Sequence, residues 1–500
     1  MEPSQRSGSF SSISRRRSRV DSRPTYFKVT SKDLGFVDQV SEEYEFYTYP
    51  KKASEVESVT ETFQSNRSSL VPTYPVDENA NKLPPKVSIA FILINSLMSD
   101  MSLAVALPTS ASYTQSLGGT NAFSGLVIGI PTLISLIFLY PMLCFANPKS
   151  ANGYTLYFRP MVVSSFAHIF GHLLYCMAYR ANWIYLILIG RMLNGIGFTT
   201  FLYHKKYTTD KLLVGQNRRT FLATMNILAQ TLGFMAGPFL GGILAKATIH
   251  SKNAVWNQYT VASWVMLFMW FFYMLTIIFF FKEVTADKSE KVSQQKENDD
   301  EDRPKLSWKH KFLLFFLAEV AFIAYFTVNG YQASISIYTG KLYNYDAFQS
   351  GNFIALSALI VAPFILASSF LSRWLEDRHI MLGGLFLGIL AVAIHLVLDA
   401  VHKLPMQVYF FLYSLMIYGY SIGSAPLISL SSKQLHPRHH NTASIVVQVG
   451  VSLSNTFGSI CGGAIYNITT VGFISLCLGL AAVVYMQLIF MWGSLKCKTH

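Results

Sequence analysis

Two carboxylates sit inside long apolar runs of this chain. Asp100 lies in VSIAFILINSLMSDMSLAVAL and Glu319 in FLLFFLAEVAFIAYFTVNGY. A carboxylate taken out of water without a full charge partner holds its proton more readily, so both are candidates for carrying protons. Arg191, in GRMLNGIGF, is a third charge in such a run. It lies about 12 Å from either end at 1.5 Å per residue, so it must face a protein interior or a wet cavity and find a partner there. Asn194 and Gly195 follow at i+3 and i+4 and share its face. Asp100 is a candidate partner for Arg191, a role compatible with proton carriage. Glu319 falls nearer the end of its run, where a solvated or capping role competes.

Histidines raise a second chemistry. His168 and His172 are spaced i, i+4, and His436, His439 and His440 form HPRHH. The two groups look like the histidine boxes of a membrane di-iron desaturase. That reading fails because metal ligands must converge on one site. The first pair sits mid-run, the second group in a polar connection, and no further HxxHH exists. His168 and His172 are therefore core or cavity-lining residues. His395 and Asp399 have the same spacing and are candidates to pair. The chain has no Walker loop or HExxH. Neither an enzyme nor a cofactor is expected, and nothing argues for ATP-driven pumping. The five cysteines have no CxxC or metal spacing and read as small buried residues, with Cys497 placed for palmitoylation by position alone.

The elements that must hold these groups follow from composition. Of 500 residues, 51% are hydrophobic and 13% charged, half the charge content usual for soluble proteins. This is the signature of a polytopic membrane protein, its lipid bilayer the first partner. The net charge of +13 does not point to nucleic acid, because the basic residues flank apolar spans instead of forming one surface. Apolar runs of membrane-crossing length fall near 87–107, 122–145, 161–179, 183–202, 220–244 and 261–281. Six more fall near 312–331, 352–371, 380–399, 407–428, 442–464 and 470–492.

The expected architecture is all-α: twelve transmembrane helices in two pseudo-symmetric six-helix bundles, 87–281 and 312–492. A charged linker over 282–311 joins them. The polar segment 1–86 is expected as a disordered cytoplasmic tail, and 493–500 as a second. Within the first, Ser12 to Arg19 (SISRRRSR) has the composition of a kinase site or a lipid-attracted patch. Lys and Arg concentrate in the connections on one side, including Lys205, Lys206, Arg218, Arg219, Arg373 and Arg378. The other side holds only Arg180, Lys246, Lys252, Lys341 and Lys403. The asymmetry puts both termini in the cytoplasm. Asn467, in Asn-Ile-Thr, would then face outward as a glycosylation candidate.

Two motifs go further. Span five contains GFMAGPFLGG, with Gly233, Gly237 and Gly241 four apart on one face, followed by Pro238 and Gly242. Glycine in a helix interior costs about 1 kcal/mol relative to alanine and proline about 3. Such a face lets another backbone approach closely. TLGFMAGP in span five is echoed by TFGSICGG in span eleven, and LNGIGF in span four by IYGYSIG in span ten, as a parallel duplication would leave. GxxxGPxxGG in span five, with Arg191, Gly195 and Gly197 as R-x-x-x-G-x-G in span four, resembles the major facilitator superfamily and its antiporter branches. FANPKSANGYTLYFRP departs from that family's acidic–basic signature between spans two and three, with Asn147 and Arg159 in its place. LSRWLEDRH keeps Glu376, Asp377 and Arg378 and is the better candidate for a charge latch. The chain is also similar to the lysosomal neuronal-ceroid-lipofuscinosis transporter branch.

The resemblance implies a monomeric secondary transporter of a small molecule or ion, working by alternating access, proton-coupled, with spans one, four, seven and ten around a central cavity. It implies Asp100, Arg191, Asn194 and Glu319 in the pathway, and the span-five glycines sliding against span eight. A channel-like or receptor-like protein on the same scaffold is the alternative.

Overall fold

A computed structural model describes residues 27–28, 45–46, 82–146, 156–210, 213–283, 307–368, 375–435 and 439–496. Asn147, Arg373, Cys497 and the Ser12–Arg19 segment lie outside them. The chain divides into a unit over Met1–Val76 and one over Asp77–His500. In the first, Phe27–Lys28 (β1) pairs antiparallel with Glu45–Phe46 (β2).

In the second unit, twelve helical segments among the described residues are long and apolar enough to cross a membrane. Span one is α1 (Lys86–Ala104), followed by a short helix, α2 (Ser110–Ser116). Spans two and three are α3 (Asn121–Ala146) and α4 (Phe158–Ala181). Span four is broken into α5 (Tyr185–Gly197) and α6 (Thr200–Thr209). Spans five and six are α7 (Gln216–Ala247) and α8 (Val261–Phe280). Spans seven to nine are α9 (Trp308–Tyr343), α10 (Ala347–Ser368) and α11 (Asp377–Ala400). Span ten is broken like span four, into α12 (Met406–Ser424) and α13 (Leu427–Gln434). Spans eleven and twelve are α14 (His440–Ile468) and α15 (Thr470–Phe490). The matching breaks in spans four and ten are where the sequence shows LNGIGF and IYGYSIG. Asn467 falls in the last turn of α14.

We call the end of the bundle at Lys86 and Phe490 the base and the opposite end the crown. Lipid offers no hydrophobic drive for helices to associate, so close backbone approach and buried hydrogen bonds must hold them. Both are present. Gly190 and Gly171 bring spans four and three so close that a methyl on either would stand against the other's carbonyl. At the base, Ser88 Oγ donates to Lys282 O at 3.0 Å, tying span one to span six. The second half is built on one continuous apolar core, reaching from Leu313 to Leu495. The first half has its own, centred on Trp270, Met266 and Tyr203. The halves meet where span two packs on span eleven and span five on span eight.

Candidate functional site

Arg191 is 1% exposed and donates to three main-chain carbonyls. Nε reaches Val127 O in span two, Nη1 reaches Ser102 O and Nη2 reaches Leu103 O, each at 3.1 Å. Ser102 and Leu103 belong to the last turn of α1, whose carbonyls lack intrahelical partners and carry the negative end of the helix dipole. The expected Arg191–Asp100 pair does not form. Carbonyls at a helix end satisfy a forked guanidinium without a carboxylate, and Asp100 projects from another side of α1. Asn194 is fully buried opposite Gly171 of span three. The two glycines that follow serve different neighbours. Gly195 makes room for Pro131 O and Ile134 of span two, Gly197 for the ring of His168 in span three.

Asp100 stands about 21 Å along α1 from Lys86 at 1.5 Å per residue. Ala104, one turn further on the same face, packs in the core of the second half, so this face of span one looks across the molecule. Asp100 Oδ2 is buried and has no hydrogen-bond partner. The cation that acts on it electrostatically is Lys205 of α6. Lys205 is exposed, while its neighbour His204 is fully buried and bonds Asn95 Oδ1 of span one at 2.7 Å. The His204–Asn95 bond anchors α6 against span one and so fixes where Lys205 stands. Ending span four at residue 202 placed Lys205 in a polar connection. The helix continues to Thr209, so the lysine lies in the span.

A second polar contact set lies on the opposite face of α1. Ser102 Oγ accepts from Trp270 Nε1 at 2.7 Å and bonds His172 Nε2 at 3.2 Å. His168 stacks on Trp270 at 4.2 Å between ring centres. The i, i+4 spacing of the histidines was the available signal, but Ser102 and Trp270 were not legible beside it.

Glu319 is not brought to this group. Its Oε1 accepts from Gln487 Nε2 of span twelve at 3.4 Å, within the second half.

The glycine face of span five also differs from expectation. Gly233, Gly237 and Gly241 pack on span one of the same half, against the carbonyls of Leu97, Met101 and Val105. Contact with span eight comes from the next register: Gly242 lies on Ala347 and Phe348, and Pro238 O on Gly351. Span eleven repeats this arrangement. Gly458 and Gly462 pack on Phe326 and Gly330 of span seven, while Gly463 meets Asn121 of span two across the halves. Gly125 on Ser459 and Gly129 on Thr456 continue that seam, and Thr456 Oγ1 donates to Gly129 O at 3.1 Å. These inter-half contacts all lie toward the crown. There Lys246 Nζ of span five also sits 4.3 Å from the ring centre of Phe348 in span eight.

At the base, Asp377 Oδ2 accepts from Lys433 Nζ at 2.8 Å and from Ser429 Oγ at 3.0 Å, tying span nine to α13. Arg378 pairs with Glu376 at 2.7 Å and donates to Trp492 O at 3.1 Å. In the first half a hydroxyl–carboxylate hydrogen bond stands in the same place, Tyr157 Oη donating to Asp210 Oδ2 at 2.7 Å. Glu283 takes the backbone N–H groups of Tyr157 and Phe158, each at 2.8 Å, and so caps span three. Arg159 lies over the Phe145 ring.

Twelve spans, pseudo-symmetric halves and paired two–eleven and five–eight seams describe one architecture, and a family model decides which. The Major Facilitator Superfamily model matches residues 89–459. The chain belongs to this superfamily. This transporter is 60% identical over 460 residues to the uncharacterized MFS-type transporter C613.02 of Schizosaccharomyces pombe, covering 92% of this chain and 91% of that one. In fold it is similar to a bacterial homolog of the human lysosomal transporter Spinster in an inward-facing and occupied conformation. The TM-score is 0.65 at 12% identity, over 82% of this chain and 98% of that one. It is likewise similar to the POT family transporter PepTSo, with a TM-score of 0.61 at 11% identity, over 83% of this chain and 99% of that one. The major facilitator protein described here is thus an integral multi-pass membrane transporter. Its spans place Arg191, Asn194, Asp100 and Lys205 in the first half.

Proposed function

We propose that this transporter moves a small solute by alternating access, coupled to protons through Asp100. The observation that carries the reading is Asp100 itself. It is a carboxylate deep in span one, on the face turned to the other half, with one buried oxygen unpartnered and Lys205 as its neighbouring cation. A carboxylate so placed changes charge when it gains or loses a proton, and the lysine is then paired or left alone. That difference is what biases one arrangement of the halves over another. The seams two–eleven and five–eight close the crown and act as the gate on that side. With the base in the cytoplasm, as the Lys and Arg asymmetry supports, this gate is the one on the side away from the cytoplasm. Arg191 serves as a structural pin at the end of α1, and Asn194 supports it from the same helix face.

The test uses proteoliposomes loaded with a pH-sensitive dye and a panel of amino acids, sugars and inorganic anions. The parent protein should move protons when a solute on the panel is added. Asp100→Asn should abolish the solute-driven pH change and uphill accumulation while retaining exchange of the same solute. An Asp100→Asn protein that still accumulates solute against its gradient at the expense of a pH gradient overturns the reading.

A further inference from the structure

The second half holds a chain of polar side chains that no part of the transport reading uses. It begins near the crown at Asp399, 7% exposed, one residue before the end of α11. Asp399 accepts from Thr470 Oγ1 at its Oδ2 and from Tyr338 Oη at its Oδ1, the latter at 2.7 Å. Tyr338 Oη is 3.4 Å from His395 Nε2, and His395 Nδ1 is 2.8 Å from Tyr331 Oη. All four residues are buried. Tyr331 lies about 18 Å along its helix from Tyr343 at 1.5 Å per residue, so the chain runs well into the membrane. The titratable groups around His395 are Tyr331 and Tyr338 from span seven, Tyr409 from span ten and Asp399 from its own helix.

Donor and acceptor capacities fix the direction of these bonds. A carboxylate only accepts, so Tyr338 spends its single O–H on Asp399. Tyr338 Oη must then accept from His395, which puts a proton on Nε2. A neutral imidazole protonated at Nε2 accepts at Nδ1, which is where Tyr331 donates. Each member thus donates to the next one toward the crown.

We propose that Tyr331, His395, Tyr338 and Asp399 form a proton wire, separate from Asp100, that releases protons at the crown. A proton arriving on Tyr331 Oη sends the hydroxyl's own proton to His395 Nδ1. The Nε2 proton passes to Tyr338 Oη, and the Tyr338 proton passes to Asp399. Every group gains one bond to hydrogen and, save the carboxylate, loses one. Asp399 becomes neutral until it yields the proton to water at the crown. The hydroxyls and the imidazole then reorient to restore the starting direction. The wire rests on the proton-coupling reading for its purpose, and it gives protons a crown-side path while the inter-half gate is shut.

Full-length protein in lipid nanodiscs, labelled with 15N at histidine, tests this without any solute. The His395 ring signal is identified by its loss in His395→Gln. The expected species is the neutral Nε2–H tautomer. Exchange of that proton with D2O should slow at least tenfold in Tyr338→Phe, which keeps the ring and removes the hydroxyl. Tyr343→Phe is the matched control. Its hydroxyl donates to Leu404 O outside the chain, and exchange should stay at the parent rate. A purely structural clasp predicts the opposite, unchanged or faster exchange in Tyr338→Phe. That result, or an Nδ1–H tautomer, overturns the wire. Because no transport is measured, its failure leaves the role of Asp100 standing, and failure of the Asp100→Asn test overturns coupling whatever the exchange rate.

Discussion

Arg191 Nη1 donates to the carbonyl oxygen of Ser102 at 3.1 Å, so span four holds the end of the span-one helix in place. Just beyond that end the chain turns through Pro108, which packs on Gly351 of span eight beside the five–eight seam. The arginine therefore links the body of the first half to the seam between the halves.

Replacing Arg191 tests the pin. Arg191→Leu strips donors from three carbonyls, and each buried acceptor left unpaired costs about 1–3 kcal/mol. The melting temperature in nanodiscs should fall clearly. Arg191→Lys keeps the charge but offers a compact ammonium in place of a fork, and should recover only part of the loss. Equal melting for Lys and Arg would mean that charge alone matters at this position.

Lys205→Met should lower pH-gradient-driven accumulation at least tenfold, with Lys205→Arg retaining most of it. If Asp100 and Lys205 act as one unit, the double variant Asp100→Asn with Lys205→Met is no worse than either alone. Additive losses in uptake would separate the two residues.

The two glycine registers of span five predict different defects. Gly351→Val pushes a side chain into Pro238 O across the halves. It should hold the crown open, seen as faster labelling, by a membrane-impermeant maleimide, of a cysteine placed at Ser459, which is buried in the two–eleven seam. Gly237→Leu pushes into Met101 O within the first half. It should lower thermal stability and transport without raising that labelling.

Asp377 and Lys433 form an ion pair at the base of the second half. Asp377→Ala should cost about 1 kcal/mol, because Lys433 is half exposed and such pairs are weak. Asp377→Lys adds repulsion and should cost more. Adding Lys433→Asp should then recover part of the stability in a denaturation series.

Glu283→Ala leaves the N–H groups of Tyr157 and Phe158 without their acceptor. Loss of a helix cap costs about 1 kcal/mol. Glu283→Gln, which keeps an acceptor oxygen, should lose less. Amide exchange at the start of span three is the direct measure, fastest in the alanine variant.

Much of this protein was legible in its sequence because the signals are local. Twelve crossings follow from apolar length alone, and a helix in lipid has no other way to satisfy its backbone. The small-residue faces of spans five and eleven follow from four-residue spacing, and the duplication follows from repeated motifs. The partners of the polar groups were not legible, because they depend on which faces meet. Arg191 was expected to seek Asp100, yet packing brought it the end carbonyls of α1. Lys205 looked like a loop residue until α6 carried it into the span beside Asp100. Glu319, expected nearer the end of its span where a solvated or capping role competes, lies against Gln487. His395 and Asp399, four apart on one helix, do not touch directly; Tyr338 from span seven bridges them. Hydropathy and periodicity fix what each helix must bury. Only the angles at which the helices cross decide which donor meets which acceptor, and in this protein those meetings carry the chemistry.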